Sequence, residues 1–285
     1  MKRFVKALCL MLCVAMTAVT CLSLVACENI KKLEVKVSVY DIGNSKQVEK
    51  TITVKLYRHL APDTVDAILT YAKEGFYDGL PFYKLNDYSS QIMAGDYEFT
   101  DGALKLYNAE YVKSIEGEFE KAGTVGSNLK NAEGYIGLWR TWEASSSYNK
   151  NSDAAFNSGK ATVYMPTADI SGYDGNFCVF GMIDLEDEIT SETVSLVKAV
   201  FGDSDNTVSY TVYYTGEYGE QGEKLEYHCE LTTDFDEKME DDDFSDSVFK
   251  AEGTQFVCFN SRKITVPVNS STDQITAQIV SVKVK

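Results

Sequence analysis

The sequence is poor in the residues from which metal sites and many catalytic sites are built. It has only two histidines, His59 and His228, and neither lies in a cysteine or carboxylate pattern typical of a zinc site. It also lacks a P-loop, a dinucleotide-binding fingerprint and a nucleophile elbow. We therefore expect no metal and no cofactor, and a function that needs neither.

Positive charge is also scarce. The chain has 27 lysines and arginines against 43 aspartates and glutamates, which gives a formal net charge of −16. Because nucleic acids and anionic lipids are held largely by basic side chains, this balance argues against a nucleic-acid partner and against an electrostatic membrane contact. The acidic segment Asp234–Asp246 lacks the glycine of an EF-hand loop, so a solvated loop is favoured over a loose Ca²⁺ site.

Proline and cysteine are limited as well. There are only four prolines in 285 residues, which favours a β-rich chain. An apolar share of 44% with 12% aromatics excludes a disordered chain. Beyond residue 27 the cysteines are Cys178, Cys229 and Cys258. Cys178 is expected to be buried, and Cys229 and Cys258 lie in strand-like runs that would allow a disulfide if their strands pair.

The first residues have the pattern of an export signal. Basic residues precede an almost wholly apolar run, 7–19, and Leu24–Cys27 has the sequence LVAC, the pattern of a bacterial lipobox. We therefore expect a signal peptide at 1–26 and a lipidated Cys27 followed by a short tether to residue 32. This would hold the protein outside the cytoplasm, anchored by lipid to the bacterial cell membrane. An ordinary transmembrane anchor is the alternative.

The most informative stretch runs from Thr51 to Asp96. It opens with the alternation of a half-buried strand. Pro62 then suits the first turn of a helix, and apolar residues continue that helix at helical spacing to Gly75, which suits a helix C-cap. Two short β-type runs follow. A second helix is predicted at Ser191–Phe201, with Ser191 as its N-cap.

This stretch resembles the N-terminal half of the cyclophilin-type peptidyl-prolyl isomerases. A second segment, Tyr173–Gly181, has the sequence YDGNFCVFG and is similar to the family's LDGxHxVFG. The resemblance implies a mainly β fold, in which a closed antiparallel β-barrel of about eight strands is capped by two α-helices. The residues of the first stretch that match the family pattern are Ile52, Thr53, Leu56, Tyr57, Ala61, Pro62, Thr64, Val65, Gly75, Phe76, Tyr77, Asp78, Gly79, Phe82, Gly95 and Asp96.

With the family as guide, residues 33–204 and 264–285 are predicted to form the cyclophilin-like domain. Residues 205–263 would be an acidic β-rich insertion. Within it, the alternating runs Thr207–Thr215 and Lys224–Thr232 predict a hairpin, and Thr254–Asn260 predicts a further strand.

The resemblance also implies where a proline-containing peptide would bind. The family's catalytic arginine corresponds to Lys84, which keeps the charge but loses the planar fork that bonds two acceptors at once. A solvated lysine is the alternative for this position. Trp139 and Tyr164 would be packing residues instead of peptide contacts if the cleft has closed. The substrate-binding positions correspond to Tyr83, Gln91, Met93, Trp139, Tyr164, Tyr173 and Phe177.

The leading hypothesis is a membrane-anchored prolyl isomerase, monomeric, that acts on exported unfolded proteins and has weak activity because its pocket is altered. A catalytically inactive peptide-binding or scaffold lipoprotein is the alternative. A third hypothesis is an adhesion or ligand-binding module that uses the insertion.

Overall fold

The computed structural model describes residues 30–85, 89–100, 102–107, 109–123, 129–140, 151, 153–217, 227–231, 248–251 and 254–285. For residues 106, 154 and 211–263 within these ranges it describes the backbone alone. The expected signal peptide, Cys27 and the acidic segment 234–246 lie outside the described residues, so what was predicted of them stays a prediction.

The described chain is mainly β, as predicted, with two α-helices of more than ten residues. No helix within the described ranges combines the length and the apolar character that crossing a bilayer requires. In chain order the elements are β1 (Ile30–Asp41), β2 (Lys46–Tyr57), α1 (Pro62–Lys73), β3 (Lys84–Leu85), β4 (Gln91–Ala94), β5 (Tyr97–Thr100), β6 (Ala103–Leu106), β7 (Tyr135–Leu138), α2 (Asp153–Phe156), β8 (Val163–Pro166), β9 (Cys178–Ile183), α3 (Glu188–Val200), β10 (Val208–Glu217), β11 (Tyr227–Leu231), β12 (Val248–Ala251), β13 (Thr254–Val266) and β14 (Ala277–Val284).

Seven strands form one antiparallel sheet that curls into a half-barrel, in the order β14, β1, β2, β9, β7, β8 and β4. Isolated bridges connect its two edges, because Pro81 pairs with Gln278 of β14 and Tyr83 pairs with Met93 of β4. Among the described residues the regular strands therefore form a half-barrel, and not the fully closed barrel that the resemblance implies. Pro81 has no N–H to donate and Gly79 adopts a φ of 83°, so this segment does not continue as a ladder.

Helix α1 begins at Pro62, as predicted, because a proline loses no hydrogen bond in the first turn. Its N-terminus is capped by a distant side chain. The Glu118 carboxylate accepts the backbone N–H of Asp63 at 3.0 Å and that of Thr64 at 2.8 Å. Gly75 takes a φ of 73° after the helix, in keeping with the predicted C-cap.

Helix α3 begins at Glu188, three residues earlier than predicted. The Asp187 carboxylate accepts the backbone N–H of Thr190 at 2.8 Å, so Asp187 is the N-cap and the prediction of Ser191 is wrong. An aspartate side chain reaches the first free N–H groups of the helix as well as a serine does, and here it stands earlier in the chain.

The main core lies between the inner face of the half-barrel and helices α1 and α3. An almost entirely apolar cavity of ≈ 100 Å³ remains inside it, and its lining includes Met93 and Tyr164. Met93 and Tyr164 belong to a second hydrophobic cluster, so they lie between that cluster and the main core. Core residues that are at most 1% exposed include Val37, Val39, Leu56, Val65, Phe180 and Val197.

A second sheet has the order β11, β10, β13 and β12, and β3 also pairs with β13. The predicted hairpin is confirmed, since β10 and β11 pair antiparallel. Strand β13 is longer than predicted and continues to Val266. Because β10 lies between β11 and β13, the strands that carry Cys229 and Cys258 do not pair with each other. The condition on which their disulfide depended is therefore not met.

Candidate functional site

Four of the residues predicted to bind peptide meet in one aromatic cluster. The Phe177 ring centre lies 5.1 Å from that of Trp139, in a stacked arrangement, and 4.5 Å from that of Tyr173. The Tyr164 ring stands edge-on to Phe177 at 5.7 Å. Such contacts stabilise a cluster beyond its buried area. The structure thus brings together residues that are up to 38 positions apart in the sequence.

Each ring is placed by the half-barrel. Tyr164 lies on β8, where it pairs with Met93 of β4 on one side and with Gly137 of β7 on the other. A Cβ atom at Gly137 would lie 2.2 Å from Tyr164 Cζ, so only glycine leaves room for the ring. Trp139 directly follows β7, and its backbone N–H donates to the Thr162 carbonyl at 2.8 Å.

Tyr173 and Phe177 flank the turn that leads into β9. Tyr173 ends a short 3₁₀ helix, Ser171–Tyr173, and Phe177 directly precedes β9. Within this turn Asp174 is held in place, because its Oδ1 accepts the backbone N–H of Asn131 at 2.8 Å and the Asn131 side-chain amide at 3.1 Å. The turn therefore fixes two of the four rings.

Two tyrosine hydroxyls in the cluster are engaged in hydrogen bonds. The Tyr164 hydroxyl donates to Asn131 Oδ1, and burial raises the pKa of Tyr164 well above its usual value. The Gln91 side-chain amide donates to the Tyr173 hydroxyl at 3.5 Å, and burial also raises the pKa of Tyr173. Both hydroxyls are therefore neutral near pH 7 and serve as hydrogen-bonding groups rather than bases.

Tyr83, which directly precedes β3, and Lys84, the first residue of β3, have side chains that point in different directions. Tyr83 is fully buried, its hydroxyl donates to Asp96 Oδ2 at 2.9 Å, and its ring meets Tyr97 edge-on at 4.8 Å. The Lys84 ammonium lies 5.7 Å from the centre of the Phe201 ring. Successive strand residues face opposite sides, so the structure joins Tyr83 to the cluster and directs Lys84 to the end of α3.

Accessibility divides the predicted site residues into two groups. Tyr83, Met93, Tyr164, Phe177 and Gln91 are buried, with exposures of 0–5%. Trp139 and Tyr173 are half-buried and form the accessible rim of the cluster. A peptide that approaches this surface therefore meets these two rings first.

Aliphatic side chains from another part of the chain pack in the same hydrophobic cluster as the aromatic rings. Ile264, Val266 and Val268, at the end of β13 and just beyond it, are 0% exposed and pack in one hydrophobic cluster with Tyr83, Met93, Tyr164 and Phe177. The register pairs Ile264 with Leu85 and Thr265 with Lys84, so this segment lies directly beside β3. Sequence reasoning assigned these residues no role at the site.

Arg140 is a further residue at the site that the sequence did not indicate. It is 3% exposed, and its Nε donates to the Asn176 carbonyl at 2.7 Å. Its guanidinium carbon lies 5.1 Å from the centres of both the Phe119 and Phe177 rings and 5.2 Å from that of Phe156. Arg140 therefore holds the Asn176 backbone by a hydrogen bond and packs against the Phe177 ring. The only signal in the sequence is the rarity of arginine in this acidic chain.

No group of three His, Cys, Asp or Glu side chains that could hold a metal ion is present in the described part of the chain. Cys178 is 3% exposed, and its Sγ lies 3.5 Å from Thr64 Oγ1. Burial raises the pKa of the Cys178 thiol to about 12. The prediction of a buried cysteine at this position is confirmed.

The family's sequence pattern covers the half-barrel and the aromatic cluster. The chain matches the model for the cyclophilin type peptidyl-prolyl cis-trans isomerase/CLD family over residues 40–211, more than half of its length. This chain belongs to the cyclophilin-type peptidyl-prolyl isomerase family. The matched range contains every predicted peptide-binding position of this cyclophilin-type chain, whereas Ile264, Val266 and Val268 lie outside it.

Two sequence relatives agree with this membership, and one solved structure is also similar to this chain. The chain is 27% identical over 155 residues to a candidate peptidyl-prolyl cis-trans isomerase of Staphylococcus haemolyticus (strain JCSC1435), a match that covers 52% of this chain and 76% of that protein. It is 44% identical over 62 residues to a candidate of the same activity from Staphylococcus aureus (strain USA300), covering 21% of this chain and 30% of that protein. A crystal structure of a Cryptosporidium parvum cyclophilin type peptidyl-prolyl cis-trans isomerase aligns with a TM-score of 0.40 at 14% identity, over 57% of this chain and 83% of that one.

Proposed function

We propose that this cyclophilin-type protein is a membrane-anchored, extracytoplasmic prolyl isomerase that assists the folding of exported proteins. The observation that carries the proposal is the convergence of Trp139, Tyr164, Tyr173 and Phe177 on one cluster with a half-buried rim. These are positions at which the family binds peptide. The proline-containing segments of unfolded exported proteins are the substrates that such a surface would take.

Prolyl isomerisation breaks no covalent bond, because it is a rotation about the Xaa-Pro amide bond. The barrier of about 18–20 kcal/mol comes from amide resonance, and the enzyme must bind the twisted amide better than either planar form. The rim rings of Trp139 and Tyr173 would hold the proline ring. The side-chain amide of Gln91, which lies 3.5 Å from the Tyr173 hydroxyl, would offer a hydrogen bond to the twisted peptide carbonyl.

Weak activity is expected because the family's arginine is replaced. Lys84 carries one positive charge on a flexible stem and offers no bidentate fork. To act on a peptide at the cluster, its ammonium would have to leave the Phe201 ring, from whose centre it lies 5.7 Å away. This reorganisation would add to the free energy of the transition state.

The proposed membrane attachment is based on the LVAC sequence that ends at Cys27. Acylation of this cysteine would place the isomerase on the outer side of the membrane that exported chains cross. Two acyl chains give durable attachment, whereas one gives only reversible binding.

A second candidate is a catalytically inactive peptide-binding or scaffold lipoprotein. The deep burial of Tyr83, Met93, Tyr164 and Phe177, none more than 3% exposed, favours it. A surface that exposes only Trp139 and Tyr173 would bind an apolar peptide without enclosing the prolyl bond.

Activity measurements separate the two candidates. Exchange spectroscopy on a short Xaa-Pro peptide would be recorded with the full chain and with Lys84→Ala, and exposed Lys46→Ala would serve as the control. The isomerase proposal predicts faster exchange with the wild type and with Lys46→Ala, and a loss of about tenfold in kcat/KM with Lys84→Ala, since about 1.4 kcal/mol corresponds to tenfold. No acceleration by folded wild-type protein would leave the binding protein as the better account.

A further inference from the structure

The segment Ile264–Val268 lies directly beside β3, the strand that carries Lys84. Ile264 and Val266 are two residues apart on β13, so their side chains share one face of the strand, and Val268 follows a turn at Pro267. All three are 0% exposed and pack in the same hydrophobic cluster as Tyr83, Met93, Tyr164 and Phe177. The chain's own aliphatic side chains thus belong to the same buried cluster as four of the positions that correspond to the family's pocket.

Backbone pairing holds this segment in place on both sides. On one side Ile264 pairs with Leu85 and Thr265 pairs with Lys84. On the other side Val266 pairs with Val208, and the hydroxyls of Ser209 and Thr265 lie 3.1 Å apart. An extended chain has therefore been added to the edge of the strand that carries Lys84, which is a way in which proteins also bind peptides.

We propose that Ile264–Val268 is an intramolecular plug of the peptide groove, and that peptide gains full access only when this segment leaves β3. The proposal rests on the proposed function, because it takes the aromatic cluster to be the peptide site. It goes beyond that function by assigning a role as the gate of the site to the segment that directly follows the predicted insertion, residues 205–263.

The two attachments of the plug differ in extent, and this gives the gate a direction of opening. The pairing with β3 comprises Ile264–Leu85 and Thr265–Lys84, whereas the pairing of β13 with β10 continues from Val208 to Glu217. Beyond Val266 the chain turns at Pro267, which has no N–H, and Val268 N–H donates to the Val266 carbonyl at 2.9 Å. Strands β10 and β13 would therefore move together away from β3.

A closed majority state has a measurable consequence for peptide binding. The apparent affinity of a ligand falls by the fraction of molecules whose site is open. Holding the plug shut should therefore abolish binding at the inner cluster, and loosening it should strengthen binding without any new contact to the peptide.

The first test locks the plug. The Leu85→Cys/Ile264→Cys double variant places two thiols at directly paired positions, and mass spectrometry confirms their disulfide in the full chain. We expect the oxidised variant to lose about tenfold or more of the exchange rate of an Xaa-Pro peptide, and dithiothreitol to restore it. Wild-type protein under the same oxidant and reductant is the control for its native cysteines.

The second test loosens the plug. Val266→Ala/Val268→Ala removes methyl groups from the plug, and Val37→Ala/Val39→Ala removes the same groups from the 0% exposed core face of β1. We expect the first pair to raise the exchange rate about tenfold and the second pair to leave it unchanged, with folding of both checked by circular dichroism.

The outcomes distinguish the plug from the proposed function. An unchanged rate in the oxidised lock, or equal gains from both alanine pairs, overturns the plug and leaves the isomerase standing. An absence of acceleration by the wild type, the reduced lock and the loosened variant alike overturns the isomerase proposal, and the plug falls with it.

Discussion

Lys84 and Tyr83 are neighbours in the sequence with opposite surroundings. The tyrosine is sealed into a buried cluster and hydrogen-bonded to Asp96, while the lysine ammonium lies near Phe201. The two neighbouring positions at which this chain differs from the family pattern therefore have to be considered separately. Tyrosine in the first position fills space in the cluster, and lysine in the second keeps only the charge of the family's arginine.

Gly137 tests whether the aromatic cluster depends on close packing against β7. In Gly137→Ala the new methyl group would lie 2.2 Å from Tyr164 Cζ, so either the Tyr164 ring or β7 must move. We expect the free energy of unfolding in urea to fall by about 1–3 kcal/mol and the near-ultraviolet circular dichroism of the cluster to change.

Gly172→Ala is the matched control, because a Cβ atom at Gly172 has no atom within 4 Å. Its free energy of unfolding should stay within about 0.5 kcal/mol of the wild type. Equal effects of the two substitutions would contradict the assigned role of Gly137.

Single residues were predictable where a motif or an apolar run fixed their environment. Cys178 lies in an apolar segment, and its burial follows from that pattern. Arg140 was not predictable, because its partners Phe119, Phe156 and Phe177 come from three separate parts of the chain. A sequence pattern carries information about local neighbours, and Arg140 has mainly distant ones.

At the scale of elements, helix α1 is tied to the rest of the fold by its N-terminus. The Glu118 carboxylate accepts two of the helix's free N–H groups. In Glu118→Ala both donors lose their acceptor, one of them on the buried Thr64, and we expect the free energy of unfolding to fall by about 1–2 kcal/mol. Thermal and urea unfolding of the two proteins would measure this.

Glu116→Ala provides the comparison, since Glu116 is exposed and two residues away along the same segment. It removes the same charge without removing a cap. If both variants lose the same stability, the loss comes from charge and not from the cap on α1.

The elements themselves were largely predictable, and their extents and pairing less so. Proline at the start of α1 and the alternation in the β10–β11 hairpin are local signals, and both predictions are confirmed. The position of β13 beside β3 was not predictable, because it joins Ile264 to Leu85, which are 179 positions apart in the sequence. This long-range pairing is the feature that changes the site most.

At the scale of the whole molecule, the proposed lipid anchor at Cys27 would decide where the isomerase works. We expect Cys27→Ala to abolish incorporation of labelled palmitate in bacterial cells and to release the protein from the membrane fraction, because acyl chains would be its only durable attachment. Cys21→Ala, which leaves the LVAC sequence intact, should keep both the label and the membrane location. Undiminished membrane retention of Cys27→Ala would favour the transmembrane anchor instead.

The half-barrel and the second sheet meet at the candidate site, where β3 pairs with β13. The half-barrel supplies the aromatic cluster, and Ile264 and Val266 of β13 pack in the same hydrophobic cluster. The sequence pattern of the family could indicate the first of these and not the second, since Ile264–Val268 lies outside the matched residues.

The proposed site at which Xaa-Pro peptides are isomerised is the aromatic cluster. The most direct measurement titrates such a peptide into the full chain carrying Trp142→Phe, which leaves Trp139 as the single tryptophan. The cis–trans exchange rate and the Trp139 fluorescence are recorded together. If peptides are isomerised at the cluster, both signals change and both saturate at the same peptide concentration. Accelerated exchange without any response of Trp139 would rule out isomerisation at this cluster.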